Sequence, residues 1–177
     1  MANINLSNAP FIQKQFIVKT AFSESHHAID LAPYGYAGDL YAIDYFKVLY
    51  VGVHSSYGNY AIFSNENGVM YLYAHMASLP TKTVGQVYQI HEYIAPAGTT
   101  GQSTGVHLHL EMQNGTSWNY QAPFSDYINP CDYLTGIINV ASSSNVYYYD
   151  GAPTPPTPTE PKKHRFPWFI YQNNGFY

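Results

Sequence analysis

Three short segments of the sequence carry side chains that can bind a metal and move protons. They are His26-His27-Ala28-Ile29-Asp30, Tyr73-Ala74-His75-Met76 and Gly105-Val106-His107-Leu108-His109. If the third segment is a strand, His107, His109 and Glu111 share one face, because side chains two residues apart point to the same side of a sheet. The opposite face then holds Val106, Leu108, Leu110 and Met112. This pattern predicts a strand with one face in the core and two imidazoles over a cleft.

The spacing of the first and third segments favours a hydrolytic zinc site. Such a site takes three protein ligands from His, Asp or Glu and leaves one position open for water. His26 and Asp30 are four residues apart, which returns both side chains to one face of an extended segment or a helix. With His109 they form a His-Asp-His set for one zinc ion, which lowers the pKa of its bound water from about 15.7 toward 7. Glu111 is placed to accept a proton from a ligating imidazole.

Two further histidines are predicted to act beside the metal. His107 lies two residues from His109 on the same expected face, so we assign it as the general base. His75 is assigned to the oxyanion that forms on the attacked carbonyl. Strict alternation places Tyr71, Tyr73 and His75 on one face of their strand, so the two tyrosines are expected to shape the cleft.

Each segment alone has a simpler interpretation. An isolated His-x-His pair is more often a surface or core pair than a metal site, and a His-x-x-x-Asp spacing often arises by chance. Cys131 is the one cysteine of the chain, which excludes an intrachain disulfide and favours a small buried hydrophobe. The prediction of a metal site therefore depends on the three segments occurring together.

Strand patterns dominate the elements that must position these groups. Aromatic residues make up 17% of the chain and 19 residues are tyrosine, a composition that suits half-buried pleated positions. Strands are predicted at residues 40–51, 60–63, 69–76, 87–94 and 106–113, with one or two short helices within 124–134. We therefore predict a mainly β fold, a single domain of antiparallel sheets with an open catalytic groove and an extended C-terminal tail.

Charge and hydropathy argue against two classes of partner. The formal net charge is −4 and 10% of the residues are charged, a balance that does not favour nucleic acid. The sequence has no run of about 18 apolar residues, so we expect no membrane span. Residues 1–16 lack a basic region followed by an apolar run, so we also expect no secretory signal.

The three segments resemble the motifs of the LytM/lysostaphin-type zinc metalloendopeptidases, which cleave peptide bonds in bacterial peptidoglycan. The family motifs are His-x-Gly-x-Asp, Tyr-x-His-Leu and Gly-x-Ser-Thr-Gly-x-His-Leu-His-Phe-Glu. They correspond to residues 26–30, 73–76 and 101–111, and the third match is highly specific. Weaker matches are Tyr57-Gly58-Asn59-Tyr60 and Asn129-Pro130 followed by Tyr133-Leu134.

This resemblance implies an active zinc enzyme. It implies the zinc ligands His26, Asp30 and His109 and the catalytic residues His75 and His107. His27 competes as first ligand, but it occupies the variable position of the motif. Ala28 replaces the usual glycine and is strained if that position requires a positive φ.

Composition divides the chain further. We predict an N-terminal extension at 1–20, a metallopeptidase domain at 21–136, a Ser then Pro/Thr-rich linker at 137–161 and a basic-aromatic docking peptide at 162–177. Residues 151–161 are mostly Pro and Thr, which run extended and pack no core. The alternative interpretation of residues 162–177 is a disordered tail without function, which has the same composition as a docking peptide.

The expected function is hydrolysis of peptidoglycan peptides by metal-activated water. The proline spacer, the aromatic tail and the expected lack of a secretory signal favour a bacteriophage tail protein, carried on the virion and acting from outside on the host wall. Its C-terminal peptide is then expected to dock on other tail proteins. The alternatives are a catalytically silent structural or binding module of a virion tail with the same fold, and an unrelated zinc hydrolase on a β-scaffold.

Overall fold

The computed structural model describes residues 2–5, 9–12, 14–35, 37–134 and 136–149. These ranges contain eleven strands and two 3-10 helices. The strands are β1 (Ala2–Asn5), β2 (Phe16–Thr20), β3 (Ala28–Pro33), β4 (Asp39–Tyr41), β5 (Phe46–His54), β6 (Gly58–Ser64), β7 (Val69–Met76), β8 (Val87–Tyr88), β9 (Tyr93–Pro96), β10 (Leu108–Asn114) and β11 (Ser142–Tyr148). The 3-10 helices, Phe124–Asp126 and Pro130–Asp132, fall where short helices are predicted. The predicted docking peptide lies outside the described residues.

Nine strands form one large sheet and the other two form a small one. The large sheet has the order β1-β11-β2-β3-β10-β7-β6-β5-β8, and β4 pairs with β9. The pairs are antiparallel except β1 with β11, which is parallel. This confirms the predicted mainly β, antiparallel fold. Within the described ranges, no helix has the length and apolar character needed to cross a bilayer.

The central strands β3, β10 and β7 carry the three chemical segments. Because they are direct neighbours in the sheet, residues far apart in sequence meet at one place. Leu108, Leu110 and Met112 of β10 are fully buried in the main core, while His109 lies on the opposite face. The predicted division of β10 into an apolar face and a chemical face is therefore confirmed.

Two predicted strands are each divided in the structure. Residues 40–51 form β4 and β5, and residues 87–94 contribute to β8 and β9. Between the two pieces, the Ala42 carbonyl accepts from the His91 amide at 2.7 Å, and the Ala42 amide donates to the Glu92 carbonyl at 2.9 Å. The chain leaves one sheet and joins the other here. Apolar residues continue through the crossing because the small sheet packs on the same core, so hydropathy gives no sign of the break.

The folded domain extends beyond its predicted C-terminal limit. Residues 142–148, which the composition assigns to the linker, form β11 and pair with β2 and β1. Tyr147 is fully buried, and its ring lies 5.7 Å from that of Phe16. The serines at 142–144 hide this strand from a composition-based prediction, because the burial that stabilises it comes from the tyrosine that follows. β2 likewise belongs to the sheet, although it falls in the predicted N-terminal extension.

Candidate metal and catalytic site

Strand register brings Asp30 and His109 together. The two residues are direct partners in the antiparallel pair of β3 and β10. Nδ1 of His109 lies 3.0 Å from Oδ1 of Asp30. His26, in the turn before β3, places Nε2 3.1 Å from the same oxygen. The three side chains offer ligand atoms that all lie within 4.8 Å of one another, so the convergence expected from the sequence is observed.

The surroundings of this cluster suit a cation. Three imidazole nitrogens approach Asp30 Oδ1, His109 Nδ1 at 3.0 Å, His26 Nε2 at 3.1 Å and His107 Nε2 at 3.6 Å. The His26 nitrogen is buried and makes no hydrogen bond among the described residues, although it lies 3.1 Å from the Asp30 oxygen. An unpaired buried polar atom is costly. A divalent ion between His26, Asp30 and His109 would satisfy it.

Glu111 holds the far side of the His109 ring. Its Oε1 lies 2.9 Å from His109 Nε2, so that nitrogen donates to the carboxylate and Nδ1 faces Asp30. A carboxylate behind a ligating imidazole fixes the ring orientation and makes the ring more basic. The contact that the sequence predicts for Glu111 is therefore present.

The two ionisable partners shift each other's pKa in opposite directions. Burial acts to raise the pKa of the Asp30 carboxyl, but the nearby imidazoles of His109 and His26 outweigh it and hold that pKa well below its usual range. Burial acts to lower the pKa of His109, but Asp30 and Glu111 outweigh it and raise that pKa to about 9. Without a metal, the site therefore holds a carboxylate and a protonated His109 at neutral pH.

His75 reaches the cleft through a bulge in β7. The register with β6 moves from Ala61↔Tyr73 to Asn59↔Met76, so two residues of β7 oppose one of β6. His75 has a φ of 60°, a value that non-glycine residues seldom adopt. A bulge of this kind redirects the side chain. The His75 ring consequently lies 4.8 Å from the ring of His107 and 5.4 Å from that of His109.

The expected role of Tyr71 and Tyr73 in the cleft is wrong. Both rings are fully buried in the main core, and the Tyr71 hydroxyl donates to Asp44 Oδ2 at 2.8 Å. Strict alternation along β7 holds through Tyr73 and then fails at the bulge. His75 therefore lies in the cleft as expected, but on the face opposite Tyr71 and Tyr73, with which strict alternation groups it.

Backbone carbonyls fix the proton positions on the two other histidines. Nδ1 of His75 lies 2.8 Å from the Thr100 carbonyl, and Nδ1 of His107 lies 2.7 Å from the Gly105 carbonyl. A carbonyl only accepts, so each Nδ1 carries the proton and donates, and each neutral ring keeps a free lone pair on Nε2. Burial lowers the pKa of both rings, although these carbonyls act to raise it. Both rings are proton acceptors at neutral pH.

These groups line one cleft of about 350 Å³, a size typical of small-ligand sites. The lining also includes residues that the sequence analysis did not assign: Lys19, Thr20, Ser56, Tyr57, Gln102, Ser103 and Thr104. The Tyr57 ring lies 5.9 Å from that of His109. The sequence indicates Tyr57 through its position in the Tyr57-Gly58-Asn59-Tyr60 match, whereas Thr20 belongs to no motif.

The competing residues of the first segment lie elsewhere. His27 Nε2 lies 3.0 Å from the Glu24 carbonyl, and its ring packs 4.5 Å from Tyr127. It is therefore His26 that stands beside Asp30.

Ala28 is a buried strand residue, and among the described residues other than glycine a positive φ occurs at His75 and His91 alone. The expected strain at Ala28 is absent.

A model of Peptidase family M23 matches residues 24–122, more than half of the chain. The chain belongs to Peptidase family M23. Its strands β3, β6, β7 and β10, which surround the site, all lie within the matched residues. The three strands at one edge of the large sheet, β1, β11 and β2, lie outside the matched residues.

A curated relative and two solved structures resemble this M23 protein. DD-carboxypeptidase/endopeptidase Mpg of Neisseria meningitidis serogroup B is 38% identical over 73 residues, which are 41% of this chain and 16% of that protein. The match thus spans under a fifth of the relative's length. The catalytic domain of the antimicrobial peptidase lysostaphin from Staphylococcus simulans has a TM-score of 0.55 at 20% identity, covering 69% of this chain and 92% of that one. A catalytic-domain mutant of the prophage-encoded M23 protein EnpA from Enterococcus faecalis has a TM-score of 0.53 at 19% identity, covering 72% and 94%. These two structures show the shared fold.

Proposed function

We propose that this M23 protein is a zinc-dependent endopeptidase that hydrolyses peptide bonds in bacterial peptidoglycan. The observation that carries the proposal is the convergence of His26, Asp30 and His109 around a buried imidazole nitrogen that has no hydrogen-bond partner in the described chain. Membership of a peptidase family and the likeness to a lysostaphin catalytic domain support the reaction type.

The donor set fits zinc. Two imidazoles and one carboxylate are ligands that zinc prefers, and three protein ligands leave a position for water. His26 Nε2, Asp30 Oδ1 and His109 Nδ1 would hold the ion, with Glu111 fixing the His109 ring. When bound, the ion polarises the substrate carbonyl and lowers the pKa of water.

The two neutral histidines handle the protons. His107 Nε2 accepts a proton from the attacking water and returns it to the nitrogen of the leaving amine. The Gly105 carbonyl keeps His107 Nδ1 protonated, and nearby Asp30 stabilises the imidazolium that forms. His75 with Nδ1–H on Thr100 has no proton on Nε2, so in its resting state it accepts a hydrogen bond rather than donating one to an oxyanion. We therefore assign it to orient the attacking water.

The test is metal content together with cleavage of purified cell walls. His107→Ala is expected to keep one zinc ion and to lose cleavage by about 10²- to 10⁴-fold, the range for a general base. His26→Ala is expected to lose both metal and cleavage. His27→Ala is the matched control, since it removes the adjacent imidazole outside the cleft. A zinc-loaded protein that cleaves no peptidoglycan, or an active His107→Ala variant, contradicts the proposal.

We further propose that the protein belongs to a bacteriophage tail and opens the host wall from outside. The Pro/Thr-rich segment 151–161 and the aromatic segment 166–171 favour a spacer and a docking peptide. A prophage-encoded protein shares the fold. Mass spectrometry of intact virions from the phage that encodes the chain tests this assignment. Virions without its peptides contradict it.

A further inference from the structure

The site face of the large sheet carries aromatic rings that the proposed chemistry does not use. We propose that five aromatic residues, Tyr50, His54, Tyr57 and Tyr120 with the buried Tyr60 between them, form an aromatic platform whose accessible rings bind the sugar rings of the peptidoglycan glycan strand. This proposal rests on the proposed function and adds a second subsite to it, for carbohydrate rather than peptide.

Ring contacts run from the candidate metal ligand to the platform without a break. The Tyr57 ring lies 5.9 Å from that of His109 and 5.4 Å from that of Tyr60. Tyr60 in turn lies 5.2 Å from Tyr50, and Tyr57 lies 6.4 Å from Tyr120. Tyr57 is thus shared between the cleft and the platform, so one ligand can contact both.

Strand register places the platform on the same face as the site. Tyr50 pairs with Ile62, Ile62 with Leu72, and Leu72 with Glu111 across four neighbouring strands. Ile62 and Leu72 are buried in a second apolar cluster on this face, which also contains Tyr60 and packs against Tyr57. Tyr50, His54 and Tyr60 therefore stand on packed strands, and Tyr57 and Tyr120 lie in turns that contact Tyr60.

Two of the tyrosine rings are exposed yet held in place. Tyr50 is 43% exposed and Tyr120 is 53% exposed, whereas Tyr60 between them is 4% exposed. The Tyr120 and Tyr60 hydroxyls hydrogen-bond at 2.9 Å. A Cβ on Gly52 would lie 2.5 Å from the Tyr50 hydroxyl oxygen, so this glycine leaves the space that the Tyr50 ring occupies. Exposed aromatic rings that are contiguous and held in place are typical of binding sites.

The chemistry of the platform fits a neutral sugar chain. Its five members carry no carboxylate and no lysine or arginine. Tyrosine offers a flat apolar face to the C–H side of a pyranose and a hydroxyl to the sugar hydroxyls. A nucleic acid or an anionic surface calls for cations, which this patch lacks. The uncharged glycan is the part of peptidoglycan that matches.

The separation of the two subsites suits a peptide attached to a glycan. Three inter-strand spacings separate Tyr50 from Glu111, which is about 14 Å. About four extended residues span this length. A short peptide can therefore run from a sugar on the platform to a peptide bond beside His109.

Two measurements test the platform. The first is binding of N-acetylglucosamine oligosaccharides, a peptide-free glycan that carries no charge, to the zinc-loaded full chain by calorimetry. Wild type is expected to bind, and Tyr50→Leu/Tyr120→Leu to lose about tenfold or more in affinity, since one lost aromatic contact gives about two- to tenfold. Tyr34→Leu, which removes a tyrosine that is 51% exposed outside the platform, is the matched control. Wild type that does not bind peptide-free glycan overturns the proposal.

The second measurement compares cleavage of a cross-linked disaccharide-peptide with cleavage of the same peptide after the sugars are removed. The double variant is expected to raise KM for the sugar-bearing substrate about tenfold with kcat unchanged, and to leave the sugar-free peptide unaffected. An equal loss on both substrates means that the platform contacts peptide and overturns the glycan assignment. If wild type cleaves neither substrate, the proposed function fails, and the binding measurement still decides the platform.

Discussion

Nδ1 of His109 lies 3.0 Å from Oδ1 of Asp30, the residue directly opposite it in the neighbouring strand. The distance depends on the register of β3 and β10. A slip of one residue would turn one of the two side chains to the core face. The apolar residues that alternate with His109 on β10 fix this register, because they fill the core on the other side of the sheet. The register that core packing fixes therefore also fixes the geometry of the site.

This pair predicts that metal binding releases a proton. Without metal, His109 has a pKa of about 9, whereas Asp30 is already ionised because its pKa is held well below its usual range. Below pH 9 a metal ion must displace the His109 proton, and above pH 9 there is none to displace. Zinc titrations by calorimetry, in buffers of different ionisation enthalpy, measure the number of protons released on binding. The proton from His109 should be released at pH 7.5, and this release should disappear by pH 10. A release that does not change between these pH values contradicts this linkage.

The same shift has a consequence for the stability of the metal-free protein. A histidine whose folded pKa is raised stabilises the fold below its unfolded pKa of about 6.5, and this contribution is lost as the pH rises through the folded pKa. The free energy of unfolding of the metal-free protein should therefore fall as the pH rises from 6.5 to about 9, because His109 loses its proton and with it this stabilisation. Urea unfolding with and without chelator, compared at pH 6.5 and 9.5, measures it. His109→Gln is the control that should remove the dependence.

The sequence predicts most of the site because the relevant patterns are local. The alternation of residues 106–112 gives the faces of β10, and the spacing of His26 and Asp30 gives two neighbouring donors. The bulge at His75 is different. It depends on the pairing of β7 with β6 and on a loop that supplies the Thr100 carbonyl. The residues around His75 predict neither of these contacts.

Strand ends were harder to predict where burial continues through a change of sheet. The division of residues 40–51 occurs beside Ala42, Ile43 and Phe46, which are all buried in the core, so the apolar pattern continues across it. β11 shows the opposite case, since its serines have the composition of a linker while Tyr147 is fully buried. In both places a long-range contact decides the structure, and a single sequence does not reveal it.

The buried position of Tyr71 gives a prediction about stability. Its hydroxyl lies in the core and donates to Asp44, so Tyr71→Phe removes a hydrogen bond from a half-buried carboxylate. The free energy of unfolding should fall by about 1–3 kcal/mol. Cleavage by the zinc-loaded variant should not change, because the ring does not reach the cleft. Denaturant titration and kinetic assays together check this, and a large loss of kcat in a folded variant would return Tyr71 to the active site.

A glycine near the bulge should control the position of His75. Gly58 has a φ of 65°, and a Cβ on it would overlap the backbone of Thr100, whose carbonyl accepts from His75. Gly58→Ala should cost about 1–2 kcal/mol for the left-handed backbone alone, and more for the overlap, and it should also lower kcat. Gly85→Ala is the matched control, because Gly85 has a φ of 88° with nothing within 4 Å of the added Cβ. Equal losses of stability and an unchanged kcat in both variants would show that the Thr100 contact does not matter.

The pH dependence of cleavage tests His107 as the base. A base acts in its unprotonated form, so kcat/KM should rise with pH through the pKa of His107. Burial lowers that pKa below its usual value of 6.5, and the charge of Lys19 lowers it further. The acidic limb of the profile should therefore have its midpoint below pH 6.5, measured with zinc in excess so that the metal site stays filled. Lys19→Met removes one of the lowering charges while leaving the histidines in place, so it should move this midpoint to higher pH. Lys14→Met, which removes a lysine outside the cleft, should leave it where it is. A wild-type midpoint above pH 7, or one that Lys19→Met does not move, would mean that another group limits the rate.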